Sequence, residues 1–219
     1  MYLKIFSVTL EPSDPITFSI DKLRSSLAKD LYEYLRHHND NASGFIHRYP
    51  VVQCRQLKNT LTVIGVNEGA AFLQSLSGNS ADMGAKENSC IIREKSPALL
   101  DEEFGVAATS QSYEFVTPWI PFSQENNRKF YLLKGKNERD AFIRTALAGN
   151  IQALSKALGY TIPGPVSGEI NMHFQKERIG GAPVIALTGK FSLPFFIPEH
   201  LGIGRFVSLG FGAVKKRGE

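Results

Sequence analysis

The sequence predicts an α+β protein of two similar-sized halves, and three observations predict it. Over the first hundred residues, strand-like and helix-like apolar patterns alternate in the order β-α-β-β-α-β, the ferredoxin-like arrangement. A second set of strands and one long amphipathic helix follow a break at 101–105, where acids and a glycine cluster. The chain then closes on LGIGRFVSLGFGAVKKR, Leu201 to Arg217, in which two Gly-x-Gly triplets flank five residues and three cations follow.

The elements follow in order. Residues 2–10, YLKIFSVTL, mix aromatic and β-branched residues and stop at a Pro-Ser-Asp-Pro breaker, which predicts a first strand. Over 20–36, Leu23, Leu27, Leu31, Tyr34 and Leu35 recur at helical steps opposite Lys22, Lys29, Glu33 and Arg36, which predicts an amphipathic helix capped by Ser19 or Asp21. A polar loop at 37–44 ends it. Strands are expected at 44–54, 61–66 and 89–94, with a short helix at 68–76 that Asn67 caps and Gly78 closes.

In the second half a strand is expected at 112–120 and a short extended segment at 129–133. A helix over 137–158 carries Phe142, Ala146, Leu147, Ile151, Leu154 and Leu158 as its apolar stripe, with Gly159 as its stop. Residues 169–178 and 183–196 read as the arms of a hairpin joined at Gly180-Gly181, and 211–216 as a last strand.

With 219 residues and 42% hydrophobic content, the chain can bury a real core. Its net charge of +4 is unevenly placed: 170–219 hold seven cations against three acids, a difference equal to the whole net charge. A basic excess beside a glycine loop suits a surface that follows phosphates. Two cysteines, Cys54 and Cys90, without Cys-x-x-Cys spacing point away from a zinc site or disulfide framework and towards a reducing cytosol. The N-terminus does not read as a signal peptide, and no apolar run approaches a membrane span, so a soluble cytoplasmic protein is expected.

The glycine loop departs from two familiar phosphate cradles. A dinucleotide fingerprint needs a third glycine where Val207 stands and an acid about 20 residues later, beyond the end of the sequence. A P-loop needs Gly-Lys-Ser/Thr, which this segment lacks. A glycine-containing hairpin or bulge between terminal strands remains open beside a nucleic-acid backbone site.

The spacing Gly-h-Gly-x-x-x-x-x-Gly-h-Gly, with h apolar, runs without a gap from Gly202 to Gly212. It resembles the C-terminal glycine-rich loop of the RAMP superfamily of CRISPR-associated RNA-binding proteins. The closing Ser208-Leu209-Gly210-Phe211-Gly212-Ala213-Val214-Lys215 is most similar to the repeat-cleaving branch, the endoribonucleases that process precursor CRISPR RNA. A histidine-bearing loop after the first helix, the Arg48-Tyr49-Pro50-Val51-Val52-Gln53 stretch and the Asn67-Glu68-Gly69 helix opening extend the resemblance into the first half.

The resemblance implies tandem ferredoxin-like (βαββαβ) domains with a C-terminal glycine-rich loop. Residues 1–104 would form an N-terminal domain carrying the catalytic histidine loop, and 105–219 a C-terminal domain with the basic hairpin and the glycine loop. It also implies metal-independent cleavage of CRISPR repeat RNA in the precursor transcript, with no cofactor. The partners implied are that RNA and CRISPR effector-complex proteins, without a membrane, for a monomer or homodimer. A non-catalytic RNA-binding subunit of an effector complex is the alternative.

Cleavage without a metal requires a base for the 2′-hydroxyl proton, in-line attack on phosphorus and an acid for the departing 5′-oxygen. Imidazole, with a reference pKa of about 6.5, serves either proton transfer. His38 and His37 are the catalytic candidates. His38 continues the apolar face of the predicted helix, seven residues after Leu31, whereas His37 is turned about 100° towards the charged side. His47 is a third candidate, and His173 and His200 read as structural or RNA-contacting.

Tyr32, Tyr34, Arg36 and Arg48 are near the histidines in sequence, but none is singled out as a partner. Candidate RNA-binding residues are Lys176, Arg178, Lys190, Gly202, Gly204, Arg205, Gly210, Gly212, Lys215 and Lys216. The hairpin cations are expected to grip a repeat stem, and Trp119, Phe122 and Phe174 are read either as stacking surfaces or as core.

Overall fold

Strand β1, Tyr2–Pro12, is apolar on both faces: Phe6 and Val8 are buried on one side, Leu3 and Ile5 on the other. The computed structural model describes residues 1–12, 49–57, 60–78, 90–95 and 99–218. The helix expected over 20–36, the candidate catalytic residues His37 and His38, and His47 lie outside the described residues. Contacts group the chain into two units. One holds Leu3–Asp101 and Ser208–Gly210; the other holds Met1–Tyr2, Glu102–Val207 and Phe211–Glu219.

In the first unit, β2 (Val52–Leu57) and β3 (Thr60–Val66) pair antiparallel, β3 pairs with β1, and β1 with β4 (Cys90–Lys95). The order β2-β3-β1-β4, with β5 (Leu100–Glu103) also pairing β1, is that of a ferredoxin-like sheet. Val52, Cys54, Leu61, Val63, Phe6 and Val8 make its core with Ala70 and Leu73 of helix α1, Glu68–Gly78. That helix starts hard against the sheet. A Cβ on Gly69 would lie 2.2 Å from the Val51 carbonyl oxygen.

Asn67 opens α1 differently from the cap expected of it. Its carbonyl accepts from the Ala71 N–H, as at a helix start, but its side-chain oxygen accepts from the Lys4 N–H at 3.1 Å. The Asn67 N–H in turn donates to the Lys4 carbonyl at 2.7 Å, so the residue bridges helix and strand.

On the face of β2 opposite Cys54, Arg55 and Gln53 are both fully buried. One Arg55 Nη2–H donates to the Gln53 side-chain oxygen, and the Gln53 amide donates to the Tyr49 hydroxyl at 2.8 Å and the Pro50 carbonyl at 3.0 Å. Arg55 Nε and Nη1 have no partner among the described residues. Burial lowers its pKa to about 10.

The second unit repeats the sheet. Strands β6 (Gly105–Phe115), β7 (Glu169–Ile179), β8 (Ala182–Phe196) and β9 (Val214–Lys216) take the antiparallel order β7-β8-β6-β9. Two helices fill the first crossover, α2 (Gln124–Leu132) and α3 (Lys136–Ala157). The second crossover is an irregular segment with a 3-10 turn at Val207–Leu209.

The α2 segment departs from the extended reading of 129–133. Ser123 Oγ accepts from the Asn126 N–H at 3.2 Å, Glu125 pairs with Lys129 at 2.7 Å, and Phe130 anchors the turn in the core. Helix α3 buries Ile143, Leu147, Ile151 and Leu154 along one stripe. The Gly159 N–H to Lys156 carbonyl and Tyr160 N–H to Ser155 carbonyl bonds close it in a Schellman turn. Among the described residues no helix is long and apolar enough to cross a membrane.

A base whose pKa falls on folding carries a penalty that is complete below its folded pKa and relieved only as pH rises above about 10. At neutral pH Arg55 therefore costs stability. Replacing it by methionine, Arg55→Met, is expected to raise the unfolding free energy by about 1–4 kcal/mol, read by urea denaturation. A loss of stability would mean that the guanidinium has compensation beyond Gln53.

Candidate nucleic-acid interface

The glycine-rich segment lies between β8 and β9 and folds back on itself. Gly202 bridges Ala213, the Ile203 N–H donates to the Gly212 carbonyl at 2.9 Å, and the Val214 N–H to the Leu201 carbonyl at 3.2 Å. The doubled-back loop is tied to the chain leaving β6. Gly212 N–H donates to Pro118, Arg205 N–H to Ile120, and Ala213 N–H to Thr117 Oγ1, all at 2.8–2.9 Å.

Two glycines are required by this closure. Gly204, at φ +90°, lies so near Trp119 that a Cβ would stand 2.6 Å from the indole nitrogen; at Gly212, φ +74°, it would stand 2.0 Å from the Ile203 carbonyl oxygen. Gly202 and Gly210 are buried in the same segment. The hairpin-like alternative left open by the sequence is thus part of the answer: the spacing serves the loop's own packing. Trp119 and Phe122 are core, at 0% and 2% exposure.

The loop roofs part of one sheet face. Ile120, Val184 and Ala186 form a buried cluster, against which Ile179, Phe206 and Phe211 pack. Arg205 points outward from this roof, exposed, with its guanidinium 5.8 Å from the centre of the Phe206 ring.

Directly opposed residues on paired strands share a face. Asn171, Lys190, Glu114 and Lys215 oppose one another in turn across β7, β8, β6 and β9, and so form one row. Alternation along β8 puts Lys190 on the face of Val184 and Ala186, beside the roof. Arg217 Nε approaches Glu114 at 3.8 Å. Glu114 thus has Lys190 and Lys215 as cross-strand neighbours and Arg217 beside its carboxylate. Exposed His173, opposite Thr188, is on this face as well. Lys216 holds its ammonium 5.5 Å from the Phe196 ring centre.

Lys176 and Arg178 do not join them. Each lies an odd number of residues from Asn171 on β7, so both project from the opposite, helix-covered face, where the Lys176 ammonium stands 5.8 Å from the Tyr131 ring centre. The hairpin cations grouped by the sequence are therefore two sets on two faces. His200, at φ +61°, gives its N–H to the Val214 carbonyl at 2.6 Å, a backbone tie for the loop.

Glu114 and Asn171 were missed because they carry no motif. Strand alternation counted from Lys190 is the signal that finds them once the register is known.

Gly212→Ala combines a left-handed φ with overlap on the Ile203 carbonyl, and is expected to destabilise the protein by about 2–4 kcal/mol in urea denaturation. Gly164→Ala, with open space around its Cβ position, is expected to change stability by less than about 1 kcal/mol and serves as the control.

Comparisons with known proteins cover both halves of the chain. The Cas6b N-terminal domain matches residues 1–99 and the Cas6b C-terminal domain residues 105–217. A crystal structure of Cas6b superposes with a TM-score of 0.81 at 27% identity, over 99% of this chain and 100% of that one. The CRISPR RNA processing endoribonuclease Cas6b superposes with a TM-score of 0.71, at the same identity and coverage. Uncharacterized protein MJ0978 of Methanocaldococcus jannaschii is 36% identical over 114 residues, 52% of this chain and 77% of its own. With the N-terminal and C-terminal family models matched in order over 1–99 and 105–217, the chain belongs to the Cas6b family.

Proposed function

We propose that the chain is a metal-independent endoribonuclease that cuts CRISPR repeat RNA in the precursor transcript to release guide RNAs. The observation that carries this reading is the match along 99% of the chain to a CRISPR RNA processing endoribonuclease. The row of Lys190 and Lys215 beside the glycine-loop roof supports it. Lys190 and Lys215 stand on the two strands that flank β6, about 10 Å apart at the backbone, and positive charge placed along one sheet face suits a sugar-phosphate backbone.

The domain spanning 1–104 supplies the histidine loop, and the domain spanning 105–219 holds RNA. His38 or His37 removes the 2′-hydroxyl proton; the oxygen attacks the adjacent phosphorus in line, and a protonated group restores the 5′-hydroxyl of the leaving strand. The products are a 2′,3′-cyclic phosphate end and a 5′-hydroxyl end. A cation near the scissile phosphate stabilises the charge that builds there. The enzyme works in the cytoplasm as a monomer or homodimer and passes its product to CRISPR effector proteins.

The glycine-loop face, with Lys190, Arg205 and Lys215, grips the RNA backbone; Lys216, which opposes Tyr113, alternates to the other face. Gly202, Gly204, Gly210 and Gly212 act by shaping the roof that presents Arg205.

Incubation with cognate repeat RNA in EDTA tests the chemistry. Cutting is expected to persist and to leave cyclic phosphate and 5′-hydroxyl ends; loss in EDTA sinks the metal-free mechanism. His38→Ala or His37→Ala is expected to slow cleavage by roughly 10²–10⁴-fold, and unchanged rates in the double variant refute the assignment. Binding of the right repeat without any cutting by the wild type favours a scaffold subunit.

Lys190→Gln and Lys215→Gln are each expected to reduce the salt slope of RNA binding by roughly 0.7–0.9, the contribution of one phosphate contact. An unchanged slope in both variants removes this face from the RNA path.

A further inference from the structure

The helix-covered side of the second sheet ends in a surface whose composition differs from that of the Lys190 row. Tyr131 and Leu132 close α2 at 43% and 78% exposure, and Phe174 on the edge strand β7 is 46% exposed. Phe174 sets its ring against the buried Phe130, centroids 5.6 Å apart at 76°. Two cations lie alongside. The Arg139 guanidinium is 5.4 Å from the Phe174 centroid, and the Lys176 ammonium 5.8 Å from that of Tyr131.

The surrounding charge is positive. Arg128 stands three residues before Tyr131, on the same side of α2, and Lys134 follows in the turn to α3; both are exposed. Of the neighbouring acids, Glu125 is engaged by Lys129 at 2.7 Å and Asp140 by Lys136 at 2.5 Å, and Glu138 accepts the Gly135 N–H at 3.3 Å. Half-exposed aromatic rings among cations match an unpaired nucleic-acid strand, which needs π-faces for its bases and positive charge for its phosphates. A paired stem offers no free base faces and is read through backbone and shape.

We propose that this face binds an unpaired segment of RNA, with bases stacked on Tyr131 and Phe174 and phosphates held by Lys176 and Arg128. The proposal rests on the RNA-processing reading for the identity of the polymer. It divides the sequence-predicted RNA contacts in two: Lys176 serves a single strand on one face of the sheet, and Lys190 serves the backbone on the other.

The test measures binding of a fluorescein-labelled 12-residue oligouridine to the full chain by anisotropy across a salt series. The double variant Tyr131→Leu, Phe174→Leu keeps apolar bulk but removes both π-faces, and is expected to weaken binding roughly 5- to 100-fold. This is the span for the loss of one stacked base or more. Tyr131→Phe is expected to bind like the wild type. Lys176→Gln is expected to lower the salt slope by about 0.7, which a merely structural role would not do.

Thermal melting checks that each variant is folded; should the double variant fail, the Lys176→Gln slope decides alone. Unchanged affinity in the double variant together with an unchanged slope in Lys176→Gln overturns the proposal, as does a wild type that does not bind oligouridine at low salt. Unchanged oligouridine affinity with a loss of self-association in sedimentation assigns the face to a protein contact instead and also overturns it. Cleavage of repeat RNA is scored separately: a wild type that binds oligouridine here but cuts no repeat sinks the processing reading and leaves this surface standing.

Discussion

Trp119 is the residue on which the second unit depends. Its N–H and carbonyl exchange two 2.8 Å hydrogen bonds with Leu187 of β8, so the chain leaving β6 stays joined to the sheet after the β-ladder has ended. Its ring stacks on Phe115, centroids 5.1 Å apart at 6°, and its indole N–H donates to the Asn150 side chain of α3 at 3.2 Å. Gly204 then closes on that indole with no room for a side chain. Sheet, helix layer and glycine loop thus meet at one fully buried residue, and the position of Arg205 outside follows from packing settled inside.

A second constraint is the need to satisfy every buried polar group. Where β6 has ended, the Ile185 N–H of β8 loses its strand partner and donates to Asn127 of α2 at 3.1 Å. The Tyr113 hydroxyl donates to the Phe195 carbonyl and accepts the Ile197 N–H, each at 3.0 Å, and burial raises its pKa. These ties hold the end of β8 where the crossover towards the glycine loop begins. Arg55 departs from the rule, a buried cation with two nitrogens unpartnered among the described residues. It is joined through Gln53 to Tyr49, within the stretch whose resemblance first linked the N-terminal half to RNA processing.

What the sequence made legible follows from what its patterns encode. Long periodic segments were readable: α3 was expected at 137–158 and spans Lys136–Ala157, and the hairpin arms were placed within one residue of β7 and β8. Short α2 was not, because QENNRKFYL has only Phe130, Tyr131 and Leu132 as apolar residues and they are adjacent, which looks extended; its helix rests on Ser123 and on what Phe130 packs against. The glycine motif was legible as a motif but not as a mechanism. Its spacing encodes a closure of Gly202–Gly204 on Gly212–Ala213, which requires knowing that Trp119, about 85 positions earlier, lies beneath. The facing of Lys176 and Lys190 was hidden for a similar reason: each strand reveals its own alternation, and only the register Asn171 to Lys190 relates one to the other.

The crossover after the third strand of the sheet differs between the two units, and the difference bears on function. In the first, α1 forms the crossover between β3 and β4 and packs on the core face through Ala70 and Leu73. In the second, the crossover between β6 and β7 already supplies two helices: α3 buries its stripe, and Phe122, Phe130 and Phe142 interlock beside it. With that face covered, the crossover between β8 and β9 need not be helical. It goes to the other face, where Phe206 and Phe211 roof Val184 and Ala186 and leave the row of Asn171, Lys190, Glu114 and Lys215 open beside them. A helix in that crossover would have returned its apolar stripe to the core face. A glycine-rich segment can lie flat on the sheet, present one arginine, and stop short of the cations.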